Sequence, residues 1–164
     1  MANNRPPVDY IERTREQYNA LGYQAYKWVE NATPPPWAEL HKPLSSCRVG
    51  LIGSGGIYQE GQVAFHYRDD LSFRIIDTRD STTKLRATHF AYDLTDARSD
   101  PNVVFPVDTL NALAAEGFIG SLAERAYAFM GGIYSARRVR ERLAPALADR
   151  VVRDAVDVVL LVPV

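Results

Sequence analysis

The sequence predicts an α/β fold, a single layered domain with a mostly parallel sheet flanked by helices. Two observations predict it. The short runs at 48–52 (RVGLI) and 156–162 (VDVVLLV) are rich in apolar and β-branched residues, the pattern of strands buried on both faces of a parallel sheet. Between them, helical and strand-like segments alternate, which argues for stacked layers rather than separate all-α and all-β parts. The 164 residues suit one domain. Residues 1–45 are expected to form an N-terminal helix and a proline-rich connector, and 46–164 the α/β domain.

In chain order, 8–31 reads as a helix, because Tyr10, Ile11, Thr14, Tyr18, Leu21 and Val29 recur near three- and four-residue spacing. Asp9 suits its cap, and Arg13 and Glu16 fall on the wet side. Pro34, Pro35 and Pro36 would end it, since the residue before a proline is pushed out of the helical region. Trp37 is expected to dock on the core. The run 48–52 enters a glycine cluster, Gly53, Gly55 and Gly56, so a buried strand ending in a tight loop is expected. Residues 71–77 (LSFRIID) read as a second strand with Phe73 and Ile75 on one face, and 88–92 as a short third. Residues 108–116 read as a helix with Asp108 at its N-cap and Gly117 as its stop. The later part of 118–130 reads as helical, broken by Gly131 and Gly132. Residues 135–155 read as a long helix with Val139, Leu143, Leu147, Val151 and Val152 inward, and Pro145 marking a kink or junction. The run 156–162 closes the sheet.

Composition narrows the function classes. Nineteen Lys and Arg against twenty Asp and Glu leave a net charge of -1, which gives no footprint for nucleic acid or an anionic membrane. Arg137, Arg138, Arg140 and Arg142 are followed by Asp149 and Asp154, so they read as a solvated helix face. Cys47 is the one cysteine, which excludes an intrachain disulfide and any CxxC pair in this chain, and suits a reducing cytoplasm. The start of the sequence has no apolar stretch of the signal-peptide kind, and no run approaches the roughly 18 apolar residues that span a bilayer.

Several motifs carry chemistry in principle. The Gly53-Ser54-Gly55-Gly56 turn invites a dinucleotide reading, but Tyr58 stands where G-x-G-x-x-G needs its last glycine, and Gly61 interrupts the helix that should follow. Such a turn is either plain backbone geometry or a place where main-chain N–H groups approach a small anion. His66, His89 and Asp93 match no standard metal spacing, so no metal is expected, and no other cofactor. Arg74 lies inside a strand, where it is either a structural partner of nearby Asp69, Asp70, Asp77 or Asp80, or a fork for a substrate carboxylate. Cys47 stands directly before a core strand, with no adjacent histidine or helix N-terminus to activate it, and reads as inert.

The order of segments then resembles a known family. VGLIGSGGI at 49–57, SFRII at 72–76 after Asp70, HFAYD at 89–93, NVVFPV at 102–107 with Leu110, Leu113, Glu116, Gly117, Ile119 and Gly120, AFMGG at 128–132 and DVVLLVP at 157–163 follow one another as in the selenoprotein B family of glycine, sarcosine, betaine and D-proline reductases. The resemblance runs from about residue 46 onward, over the N-terminal half of that family's pattern.

That resemblance implies a component of a thiol- or selenol-dependent reductase that cleaves a C–N bond of a small amino acid or related amine. The family's selenocysteine or cysteine nucleophile would follow the terminal apolar strand, so no catalytic residue carries over to this chain. Two explanations stand open: a fragment ended at a selenocysteine codon, or a natural short subunit whose chemistry a partner supplies. The implied substrate-binding set is Ser54, Gly55, Gly56, Arg74, His89, Tyr92 and Asp93. The implied partners are a small amine or amino-acid substrate and a homo- or hetero-oligomer that includes the segment or subunit bearing the redox residue. The alternative is a non-catalytic binding or assembly subunit. Because parallel strands bring their carboxyl ends to one edge, Ser54 and Pro163 should meet there, with Cys47 at the opposite edge, a strand length of roughly 17 Å away.

Overall fold

Strand β1 (Arg48–Gly53) is the spine of the fold, and every residue after Arg48 is buried. Val49 and Leu51 enter one core and Ile52 the other, so the strand has no wet face and its sequence shows no alternation. The computed structural model describes residues 9–25 and 28–164. The chain separates into two units, Met1–Trp37 and Ala38–Val164, and β1 belongs to the second.

One side of β1 pairs in parallel with β7 (Val158–Val162) along its length, from Val49 opposite Val158 to Gly53 opposite Val162. The other side pairs in parallel with β5 (Ser121–Leu122) at its start and β6 (Arg125–Phe129) at its end. Beyond β6 lies β3 (Phe73–Asp77), antiparallel to it. The sheet is therefore mixed, with a parallel group of four and an antiparallel edge. A separate two-stranded ribbon joins β2 (Ile57–Gln59) to β4 (Leu85–Ala87).

Helices cover both faces. On one, Val107 and Leu110 of α3 (Val107–Ala115) pack with Phe105, Ile57 and Leu85 onto Leu51, Ile76, Ala126 and Ala128. On the other, Leu143 and Leu147 pack onto Ile52 and Tyr127. They come from a helical stretch made of α4 (Ala136–Arg138), a π-turn at Val139–Leu143 and α5 (Ala144–Arg153). Pro145 stands in the first turn of α5, where its missing N–H is tolerated, and the π-turn directly before it is the expected junction. α2 (Thr95–Ser99) is a single short turn before α3.

Several expectations need correcting. The N-terminal helix α1 spans Tyr10–Ala20, not 8–31. Asp9 caps it as expected, accepting from Glu12 N–H, but Gly22 at φ 74 takes the left-handed turn that ends it long before the prolines. Val8 and residues 26–27 lie outside the described residues. Trp37 is 88% exposed. Residues 125–129 form the central strand β6 where a helix was expected. Its alanines have high helix propensity, but Ala126, Tyr127 and Ala128 are buried between β1 and β3, and tertiary pairing overrides propensity. Residues 88–92 are loop, the neighbouring strand being β4. Asp108 is the second residue of α3, not its N-cap; its carboxylate instead accepts from the Thr82 hydroxyl and the Asn102 amide. Val152, expected inward, is 76% exposed.

Candidate functional site

The carboxyl ends of β1, β6 and β7 meet at Ser54. Its N–H donates to Val162 O at 3.0 Å, its carbonyl accepts from Gly131 N–H at 2.8 Å, and its hydroxyl oxygen accepts from Val164 N–H at 2.9 Å. One residue thus ties together the ends of three parallel strands, the edge at which ligands bind in open α/β sheets. Ser54 and the residues flanking Pro163 share this edge, as the strand directions require.

The glycine turn has a structural cause. Gly56 sits at φ 70, and a Cβ there would lie 1.9 Å from the Thr88 carbonyl oxygen. Gly56 O accepts from Thr88 N–H at 3.0 Å, and Gly56 N–H donates to Phe129 O at 2.9 Å. The missing side chain lets loop 88–92 lie directly on the turn. Tyr92 completes the clamp, its hydroxyl donating to Gly55 O at 2.7 Å. A Cβ on Gly55 would itself come within 3.4 Å of that hydroxyl.

This clamp buries His89, which is 4% exposed. Its ring stacks on Phe90, with centroids 5.6 Å apart, and tilts against Tyr92 at 4.9 Å. Ala91 N–H donates to His89 Nδ1 at 3.0 Å. Nε2 is buried without a hydrogen-bond partner among the described residues. Burial pushes the His89 pKa down and that of Tyr92 up, so both favour their neutral forms. Phe90 extends the aromatic surface to Tyr67, with centroids 5.9 Å apart.

Of the seven residues singled out in the sequence, Ser54, Gly55, Gly56, His89 and Tyr92 come together here. Arg74 lies two strands away from β1, its Nε donating to Val63 O at 2.7 Å and its other nitrogens to Ser72 Oγ and the Phe73 and Ala64 carbonyls. Its guanidinium lies 4.3 Å over the centre of the Phe65 ring. The fork is occupied by loop 63–65 and holds it against β3. Asp93 follows Tyr92, but its carboxylate accepts from Thr95 N–H and Oγ1, opening α2.

The opposite, amino edge holds a feature the sequence did not announce. A cleft of about 510 Å³ is lined by Arg48, Ser121, Leu122, Glu124, Arg125, Arg153, Asp154 and Ala155. At its wall the Asp154 side chain is 6% exposed; it pairs with Arg125 and accepts from the Tyr127 hydroxyl. Burial opposes the Asp154 charge, but the hydrogen bonds from Arg125 and Tyr127 outweigh it and hold the carboxyl below the usual range. Burial first, and the hydrogen bond to Asp154 second, push Tyr127 up to about 12. Asp154 is thus part of a charge network and not of a solvated helix face. No periodic signal marks it, because it caps α5 from one residue beyond its end. Cys47 also lies at this edge, fully buried, its Sγ 3.3 Å from Pro43 O.

Among the described residues, no helix is long and apolar enough to cross a membrane. The sequence matches the family described as glycine/sarcosine/betaine reductase selenoprotein B over residues 26–164. It is 34% identical over 140 residues to the D-proline reductase subunit gamma of Acetoanaerobium sticklandii, covering 85% of this chain and 58% of that protein. It is 33% identical over 125 residues to the glycine reductase complex component B subunit gamma of Symbiobacterium thermophilum, covering 73% of this chain and 29% of that one. The corresponding subunit of Carboxydothermus hydrogenoformans is 32% identical, covering 73% and 28%. The chain therefore spans little more than half the length of the first relative and under a third of the other two. No solved structure matches.

Proposed function

Because the chain belongs to the glycine/sarcosine/betaine reductase selenoprotein B family, we propose that it is a substrate-binding component of a thiol- or selenol-dependent reductase acting on a small amino acid or related amine. The match across residues 26–164, with its relatives named as subunits of D-proline and glycine reductases, carries this reading. The reaction class is reductive C–N cleavage. A selenolate or thiolate takes over the carbon as the C–N bond breaks, and the amine leaves with the bonding pair and a proton. A second thiol then attacks the carbon-bound sulfur or selenium, and the carbon leaves with the bonding pair and takes a proton. A further thiol reduces the resulting disulfide or selenosulfide to free the nucleophile, so the two electrons come from a dithiol that ends as a disulfide. The site proposed for the substrate is the carboxyl-edge turn of Ser54, Gly55 and Gly56 with His89 and Tyr92. Arg74 and Asp93 support the loops around it.

The nucleophile comes from outside residues 1–164, since Cys47 is fully buried at the amino edge. Working beside a partner or segment that carries the redox residue makes the protein part of a hetero-oligomer, and its single cysteine suits the cytoplasm. Isothermal titration with glycine, sarcosine, betaine and D-proline tests the reading. Saturable binding of at least one is expected, with no turnover by the chain alone in dithiothreitol. Failure of all four to bind would sink it. The buried thiol also favours a second reading, a non-catalytic binding or assembly subunit. Turnover of a bound amine with added dithiol, once a chain supplying the redox residue is present, separates the two, because a non-catalytic subunit leaves the bound amine uncleaved.

A further inference from the structure

We infer that His89 presents a fixed Nε2–H donor to a carboxylate oxygen of the substrate bound at the carboxyl-edge turn. The inference rests on the proposed substrate reading and goes beyond it by naming the atom and the substrate group.

Two observations lead there. The Ala91 N–H can only donate, so His89 Nδ1 accepts and carries no proton. A neutral imidazole with Nδ1 as acceptor holds its proton on Nε2. That Nε2–H is buried with no protein acceptor, the one such side-chain atom among the described residues. Buried donors are almost always satisfied, so one left over beside the turn proposed for the substrate calls for an acceptor from elsewhere.

The placement is also built rather than accidental. Thr88 N–H on Gly56 O and Tyr92 Oη on Gly55 O fasten the loop on both sides of His89. The His89 Cβ is 3.6 Å from where a Gly56 side chain would begin, so the imidazole sits beside the turn itself. The same tautomer argues against a metal ligand, because Nε2 has no lone pair to give while it holds the proton. A donor of this kind selects an acceptor oxygen. Glycine, sarcosine, betaine and D-proline share one such group, the carboxylate, while their nitrogens differ in methylation and ring closure.

Nitrogen-15 histidine NMR on the wild-type chain tests this. The expected spectrum shows His89 as the Nε2–H tautomer with a slowly exchanging proton. Glycine, D-proline and acetate should shift that resonance, whereas pyrrolidine, an amine without a carboxylate, should not. His89→Phe should weaken carboxylate binding about tenfold, the loss of one buried hydrogen bond. His89→Gln, which keeps a donor near Nε2, should recover part of it. An Nδ1–H tautomer, a proton exchanging freely with water, or carboxylate binding that leaves the resonance unmoved would overturn the inference. Binding seen at Ser54–Gly56 with His89 silent would do so while leaving the proposed function standing; no binding of any amine would remove both.

Discussion

The Tyr92 hydroxyl donates to the Gly55 carbonyl oxygen at 2.7 Å, closing a contact between residues 37 positions apart. It is a side chain that reaches from a loop to the end of a core strand, and it holds His89 against the glycine turn. Tyr92→Phe keeps the ring and its packing on His89 but leaves a part-buried carbonyl without its donor. Such a loss costs about 1 kcal/mol. Chemical denaturation should report a lower midpoint with an unchanged slope, and binding of amino-acid ligands should weaken with it. An unaltered midpoint would show that the clamp does not stabilise the loop.

His89 makes stability depend on pH in a definite direction. Burial depresses its folded pKa, so the unfolded chain binds the proton more readily. Its contribution is fully present above the unfolded value of about 6.5 and is lost as pH falls from there through the lower folded value. Protonation would also put a hydrogen on Nδ1, in conflict with the Ala91 N–H. Thermal melts of the wild type should lose stability as pH drops below about 6.5, and His89→Phe should flatten that limb. An equally steep limb in the variant would place the titration elsewhere.

The run at 48–52 could be read directly because β1 is buried on both faces, and the edge where its end meets that of β7 followed from strand direction alone. The run at 156–162 gave a strand but not its place, because β7 pairs with β1 alone and leaves Leu160 and Leu161 exposed rather than buried on both faces. Gly117, at φ 76, ended its helix as expected. β6 could not be read, because RAYAF has the composition of a helix and becomes a strand only between two partners. The antiparallel placement of β3 depends on that same hidden strand. Within the site, the glycines and the HFAYD segment stood out, but the reason for the glycines did not. Gly56 is required by the Thr88 carbonyl, a contact 32 residues away that no local pattern encodes. Arg74 looked available in the sequence because its acceptors are main-chain carbonyls, which every residue type possesses.

Asp154 should be the main source of acid sensitivity at the amino edge. Its folded pKa is lowered, so its stabilisation is present above the unfolded value of about 3.9 and is lost as pH falls through the folded one. Asp154→Asn removes the ion pair with Arg125 and weakens the bond from Tyr127. Arg125 is half-exposed, so solvent screens part of the attraction, and a cost of about 1–3 kcal/mol at neutral pH is expected. The variant's stability should then change less than the wild type's below about pH 4. Denaturation curves of wild type and variant at neutral pH and at pH 3 isolate this limb, because the contribution of His89 is common to both proteins. A neutral-pH loss under about 0.5 kcal/mol would reduce the network to an ordinary surface pair.

Gly56 and Gly61 offer a matched comparison of backbone and packing. Both have positive φ, 70 and 91, so alanine is strained at either by about 1–2 kcal/mol. At Gly61 nothing lies within 4 Å of the added Cβ, and the cost should stop there. At Gly56 the Cβ would fall 1.9 Å from a main-chain oxygen, which cannot move aside without breaking the Thr88 N–H bond to Gly56 O and lifting the loop that carries His89. Gly56→Ala should therefore cost at least about 3–4 kcal/mol or prevent folding, and where it folds, the His89 Nε2–H should become solvent-exchanging. Gly61→Ala should leave that proton protected. Equal losses in the two variants would mean that the loop yields freely to the turn, and the clamp around His89 would then be too soft to hold a donor in place.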